Sequence, residues 1–294
     1  MKRIEYIVKS IIPKSYWPEV SYLRYSPLTS DAKKINEIEL SCKNEEIMVI
    51  GNGPSLLKDI DIIVERVSSC DFVCVNNFAT SEYFRILKPS KYVFLDEYFF
   101  TKDAHLDWLK QRESTFNAIN ENTDWKMQIF LPIFADIKVI SAVITNPNIE
   151  LIKLKVVGYD NLSLLKVFKR FDSGRFGPFQ GNVLIYAIYL SIWSGYKKIS
   201  VFGADLSFHK DIEVDQENNH VQFRFRHFNS QDHVERLMKD PQKTQPFSMS
   251  ELMQITADTF RAHEILQKYA KSKNIEICNG SNYSLIDAYK RNRN

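Results

Sequence analysis

A chain of 294 residues is long enough for one large domain or two small ones with a buried core, and 44% hydrophobic with 26% charged residues is a globular composition. The net charge of +3 is too small to make nucleic acid the main partner. No run of about 18 apolar residues offers a bilayer span, and charges interrupt the N-terminus where a signal-peptide core would lie. Aromatic residues reach 13%, which reads first as a large aromatic core and second as a stacking cleft. The cysteines stand at 42, 70, 74 and 278. Only Cys70 and Cys74 are close, and Cys74 lies in an apolar run, so buried, reduced thiols of a cytoplasmic protein are expected rather than a zinc site.

In chain order, Ile4, Ile7, Val8, Ile11 and Ile12 repeat at helical spacing, with Lys2, Arg3, Lys9 and Lys14 around them and Tyr16 and Trp17 after them. Residues 1–17 therefore read either as an anchor on an anionic membrane surface or as a helix docked on its own domain or on a second copy in a homo-oligomer. Pro13, Pro18 and Pro27 read as an extended linker. Residues 1–44 are thus set apart from a domain over 45–294. In that domain the apolar run at 47–50 and the largely apolar stretches at 72–75, 92–95, 128–132 and 199–202 predict strands, as do 152–156 and 275–278, where charged residues intervene. Helical stretches separate several of them, the longest over 182–194 and from the Ser248/Glu251 capping pattern to about 272. The alternation predicts an α/β fold: a Rossmann-like, mostly parallel sheet with helices on both faces, a GT-A-like variant. Residues 206–248 are polar, with little periodicity, and are expected to form a lid.

Ligands of such sheets bind beyond the C-terminal strand ends, and the polar residues gather there. Gly51, Asn52, Gly53, Pro54 and Ser55 follow the first strand and open a helix. The glycines suit a tight turn, and the helix start suits an anion. Asn76 and Asn77 follow the second strand, with amides suited to a base edge or ribose. Asp96 follows the third, where a carboxylate could act as base or hold a ribose. Gln180, Gly181 and Asn182 open the long helix. Asp205 and Ser207 follow the strand at 199–202, and His209, Arg224, Arg226 and His227 lie in the expected lid. The arginines suit a phosphate or carboxylate, and a histidine suits a general base. His227 is the first candidate and His209 the second. With no carboxylate pair following a strand in D-x-D form, no metal site and no cofactor are expected.

At these motifs the sequence resembles the single-domain bacterial sialyltransferases of glycosyltransferase family 42 and related lipopolysaccharide Kdo transferases. The likeness spans roughly residues 46–100 and 177–285. It rests on the run from Ile50 to Leu56, on Val75 to Phe78, on Tyr92 to Asp96, and on Gly195 to Ile199 followed by Gly203, Ala204 and Asp205. It implies that Asn52, Gly53, Ser55 and Asn76 hold the CMP part of a donor, that Gln180, Gly181 and Asn182 meet its sugar and cytidine, and that no metal is needed. It also implies an enzyme of surface-polysaccharide synthesis working on a glycan or glycolipid acceptor, cytoplasmic or peripheral at the inner face of the inner membrane. The sequence departs from that pattern. Asp96 replaces an Asn, Ser207 replaces a phosphate-binding Tyr, and the stretch 244–250 lacks the family's catalytic His. The same core also resembles pterin diphosphokinase-like proteins, which would use ATP and magnesium. A non-catalytic nucleotide-binding scaffold is the third reading.

Overall fold

The computed structural model describes residues 12–13, 16–25, 31–160, 163–226, 228 and 233–291. Most of the amphipathic pattern at the N-terminus, and His227, lie outside the described residues. The strands are β1 (Glu46–Ile50), β2 (Asp71–Val75), β3 (Lys91–Val93), β4 (Met127–Leu131), β5 (Ile149–Lys153), β6 (Val157–Gly158), β7 (Phe176–Gly177), β8 (Lys198–Phe202), β9 (Ile212–Val214), β10 (Val221–Phe225), β11 (His233–Arg236), β12 (Glu276–Asn279) and β13 (Lys290–Arg291). Eight of them form one sheet in the order β13-β12-β8-β1-β2-β3-β4-β5, and every neighbouring pair is parallel. The fold is therefore α/β and Rossmann-like. The chain steps outward from β1 to β5, then returns to β8 on the other side of β1. That reversal opens a crevice at the C-terminal ends of β1 and β8.

Period-two alternation sorts the central strands between two cores. Ile47 and Val49, Val73 and Val75, and Val93 join Leu184–Ile192 of the helix Val183–Trp193 and Leu266 and Tyr269 of the helix Met249–Ser272. Met48 and Ile50, Phe72 and Cys74, and Tyr92 face the other way. They pack on the helices Leu56–Val64, Tyr83–Leu87 and Leu106–Asn122. Burial on both faces explains why these strands read as continuous apolar runs. The Val183–Trp193 helix touches β1, β2, β3 and β8 and is apolar all round because it is surrounded. Met249–Ser272 starts with the expected capping box: the Ser248 hydroxyl accepts from the Glu251 N–H at 3.3 Å, and the Glu251 carboxylate accepts from the Ser248 N–H at 2.9 Å.

Four expectations are corrected. Residues 17–25 form a helix, not an extended linker; Pro18 sits in its first turn, where a missing N–H costs nothing. The 206–248 segment holds a three-stranded antiparallel sheet, β11-β10-β9. The fifth strand begins three residues early, because Met127 to Leu131 pair with Ile149 to Lys153 and the chain then leaves the sheet. Cys42 is exposed; the other three cysteines are buried and all four are free.

At the opposite, N-terminal edge of the sheet, Lys91 is wholly buried. Its ammonium donates to the Tyr196 hydroxyl at 2.8 Å and to the Ser41 carbonyl, and Tyr196 donates to Asp71 at 2.7 Å. Burial pushes the Lys91 pKa down to about 8 from 10.5, with the Asp71 charge pulling it back. Between those two values the unfolded chain binds more protons than the native state, so stability rises with pH there. Unfolding free energy should rise across pH 8–10 by up to about 1.4 kcal/mol per pH unit relative to Lys91→Met. Denaturant titrations of both proteins that moved in parallel would contradict this.

Candidate functional site

The site is built where β1 and β8 end. Gly51 donates its N–H to Phe202 at 2.8 Å and Gly53 to Gly203 at 2.9 Å, so the two strand-end loops are zipped together. The loops touch because neither glycine has a side chain. A Cβ on Gly51 would lie 2.4 Å from the Gly203 carbonyl oxygen, and one on Gly203, whose φ is +59°, would lie 2.5 Å from that of Gly51. Gly53 stands against Asp205, whose carboxylate closes the loop. Asp205 accepts from the Ser55 N–H at 3.2 Å and from the Ser55 hydroxyl at 2.8 Å. Burial pushes the Asp205 pKa up, and the Ser55 hydrogen bonds pull it back.

That contact changes the reading of the glycine loop. Ser55 precedes the helix Leu56–Val64, so the anion at this helix start is the protein's own Asp205. Ser55 is buried with it. In this structure the Ser55 N–H and hydroxyl are both engaged by Asp205, whose carboxylate holds the loop's shape.

A cavity of about 340 Å³ opens above the two loops. It is lined by Asn52, Gly53, Pro54, Asn76, Asn182, Asp205 and Ser207 from the loops and the long helix, by Arg224 of β10, and by Arg226 just after it. The first three side chains named for hydrogen bonding each have a fixed posture. Asn52 donates to the Val75 carbonyl at 3.2 Å. Asn182 caps the long helix, accepting from the Leu184 N–H at 2.9 Å. Asn76, at φ +47°, donates its amide to the Asp96 carboxylate at 2.7 Å. Of the two arginines, Arg226 lies 3.1 Å from Asp211 and Arg224 3.3 Å from Glu213.

The other predicted residues go elsewhere. Asn77 turns away: it donates to the Tyr98 hydroxyl at 3.1 Å and accepts from Thr115 at 2.8 Å. Asp96 does not line the cavity; it orients Asn76 from outside. Desolvation pushes its pKa up to about 6, opposed by the Asn76 hydrogen bond. Gln180 lines a separate cavity of about 230 Å³ with Tyr159 and Arg261, and Gly181 is exposed, with a Cβ on it falling 2.2 Å from the Phe179 ring. His209 is outside the cavity, its ring 6.3 Å from that of Phe260. Gly51 and Ser55 lie beneath the cavity floor.

Sequence reading missed Asp211, Phe208, Phe223, Phe225 and Leu237, which also line the cavity. The signal was present in Val221, Phe223 and Phe225, apolar at every second position, as a strand requires. Val183 and Leu184, read as core, reach the cavity as well. Among the described residues no cluster of three or more His, Cys, Asp or Glu could hold a metal ion.

No family model matches the chain, and no curated protein does. Solved structures that the chain matches include two glycosyltransferases. A MAf glycosyltransferase from Magnetospirillum magneticum AMB-1 has a TM-score of 0.47 and 11% identity over 87% of this chain and 35% of its own. This chain thus spans about a third of that protein's length. An α-2,3-sialyltransferase from Campylobacter jejuni, in apo form, has a TM-score of 0.43 and 17% identity over 90% of this chain and 87% of its own.

Gly203→Ala should lower unfolding free energy by about 2 kcal/mol or more, from backbone strain plus the clash with Gly51. Gly195, at φ +81°, has nothing within 4 Å of its missing Cβ. Gly195→Ala should lose only the conformational part, about 1 kcal/mol. Equal losses in chemical denaturation would show that the loop contact carries no weight.

Proposed function

We propose that this chain is a glycosyltransferase whose cavity binds a nucleotide-activated sugar, with a CMP-linked keto-sugar acid as the donor. One observation carries the reading. At the switch point of a parallel sheet, the amide-bearing residues Asn52, Asn76 and Asn182 and the guanidinium-bearing residues Arg224 and Arg226 line a single cavity. Amides suit the edge of a base and a ribose, which need donors and acceptors together. Guanidiniums suit a phosphate, as planar donors of fixed positive charge. The motif resemblance to CMP-sugar transferases supports the choice of nucleotide.

In this reading the departing CMP phosphate is stabilised by Arg224 and Arg226 rather than by the glycine loop, because Asp205 already occupies the helix start. The bond from the anomeric carbon to the phosphate oxygen breaks as the acceptor hydroxyl attacks, and a base takes the hydroxyl proton. His227 is the proposed base: Arg226, just before it in sequence, lines the cavity, and Phe228, just after it, donates its N–H to the Asn52 carbonyl at 3.4 Å. The 206–248 segment, whose β10 lines the cavity, is proposed to act as the lid that limits water, so that transfer outcompetes hydrolysis. A bacterial surface glycan or glycolipid is the proposed acceptor. The reaction is proposed to run without metal, with the arginines neutralising the leaving phosphate.

A thermal-shift panel of CMP, CDP, UMP, UDP, GDP, ADP and ATP, with and without magnesium, tests the donor. CMP or CDP at about 100 times its dissociation constant should stabilise the native state by ~2.7 kcal/mol, unchanged by EDTA. A shift with ATP only in the presence of magnesium would replace this reading by the diphosphokinase one. Arg226→Ala should weaken CMP binding about tenfold or more, the loss of a charge-assisted hydrogen bond. His227→Ala should leave CMP binding intact and cut turnover of a CMP-linked donor by about 100-fold or more. Near-normal turnover would remove His227 from the base role.

A further inference from the structure

The face built by the helix Trp17–Tyr25 and the segment 155–175 takes no part in the site above. Residues 1–25 and 155–175 each carry five Lys or Arg against two Asp or Glu. Together they hold +6 in a chain whose net charge is +3, so all the other residues sum to −3. The positive charge of this protein is thus concentrated in two segments far apart in sequence.

The fold sets the helix Trp17–Tyr25 against the second segment, and there the described positive charge comes from Lys155, Lys166, Lys169, Arg170 and Arg175. Arg170 pairs with Glu19 at 2.5 Å, and the Tyr22 and Phe176 ring centroids are 5.6 Å apart. Lys155 and Arg175 lie over the Tyr22 ring at 5.6 and 5.8 Å. Between the segments is an open hollow of about 510 Å³ lined by Tyr16, Lys166, Lys169 and Arg170. Glu19 is the single acid in its wall, and Arg170 neutralises it. Lys166 and Lys169 are exposed and form no ion pair among the described residues.

The helix Leu164–Phe171 explains what is presented. It seats Val167 and Phe171 in the core and leaves Leu165 outside. Leu165 is 82% exposed, more than any other large hydrophobic residue described, and stands next to Lys166. An unburied leucine beside lysines with long aliphatic stems, and a tyrosine 58% exposed on the same hollow, suit a boundary between phosphates and acyl chains.

We infer that this face docks on an anionic lipid leaflet, with Leu165 entering the acyl boundary and Lys166 and Lys169 meeting the headgroup phosphates. Charge decides against residues 1–11 as the occupant of the hollow. They carry Lys2, Arg3 and Lys9 against Glu5, the same sign as the hollow, and so are complementary to the same leaflet. Nucleic acid offers phosphates but no apolar layer for Leu165.

The test is co-sedimentation of the full chain with vesicles of phosphatidylcholine alone and of phosphatidylcholine containing about one-third phosphatidylglycerol, an anionic leaflet mimic. The wild type should bind only the anionic vesicles and come off at high salt. Lys166→Glu with Lys169→Glu should weaken that binding about tenfold or more, since each charge near such a surface counts separately. Leu165→Ser should weaken it severalfold by removing the inserted side chain. All three side chains are exposed, so thermal melting should not change; if it does, Lys166→Gln with Lys169→Gln repeats the test at lower charge. Equal binding to both vesicle types, or anionic binding untouched by the lysine changes, would overturn the inference. Capture by double-stranded DNA without binding to vesicles would overturn it in favour of nucleic acid.

Discussion

Gly51 and Gly203 follow adjacent parallel strands and stand so close that a Cβ on either would press into the other's carbonyl oxygen. The rest of the site hangs from that approach. It brings the Gly53 N–H to Gly203 and places Asp205 over the start of the helix Leu56–Val64, where Ser55 donates to it twice. A buried carboxylate is costly unless its lone pairs are engaged, and here the helix start and a hydroxyl engage them. The geometry that resembles a phosphate cradle is filled from within. The positive charge lining the cavity sits instead on β10 and at its end, at Arg224 and Arg226, which pair with Glu213 and Asp211.

Two tiers of side chains follow from this. Asn52, Asn76 and Asn182 face the cavity, and each is posed by a second group: the Val75 carbonyl, the Asp96 carboxylate and the Leu184 N–H. Asn76 shows the effect most clearly. Its donor end is committed to Asp96, so the amide's orientation is set before any ligand arrives. Asn77, next in sequence, is spent on Tyr98 and Thr115 and ties the same strand end to the helix Leu106–Asn122. One residue of sequence separates a cavity wall from a structural tie.

The sheet was legible in the sequence because its central strands are buried on both faces. Ile47 to Ile50 and Phe72 to Val75 read as unbroken apolar runs for that reason, and Ile199 to Phe202 as one interrupted only by Ser200. The glycine loop and Asp205 were legible as elements of one edge, but their partnership was not. The carboxylate that fills the helix start lies 150 residues away from Ser55 in sequence, and no local pattern reports it. The three-stranded sheet was missed because its strands are half-buried and rich in charge, leaving only the short alternation at Val221, Phe223 and Phe225. His209 looked equivalent to the other histidines of that segment; its place beside Phe260 is set by packing on the helix Met249–Ser272, which composition does not encode.

The division of labour between Asp205 and the arginines is the central claim, and a crystal structure of the chain with CMP bound tests it most directly. The account predicts the CMP phosphate within hydrogen-bonding distance of Arg224 or Arg226, with both Ser55 hydrogen bonds to Asp205 intact. A phosphate seated on the Ser55 N–H with Asp205 displaced would contradict it, and would return the glycine loop to the role of an anion cradle.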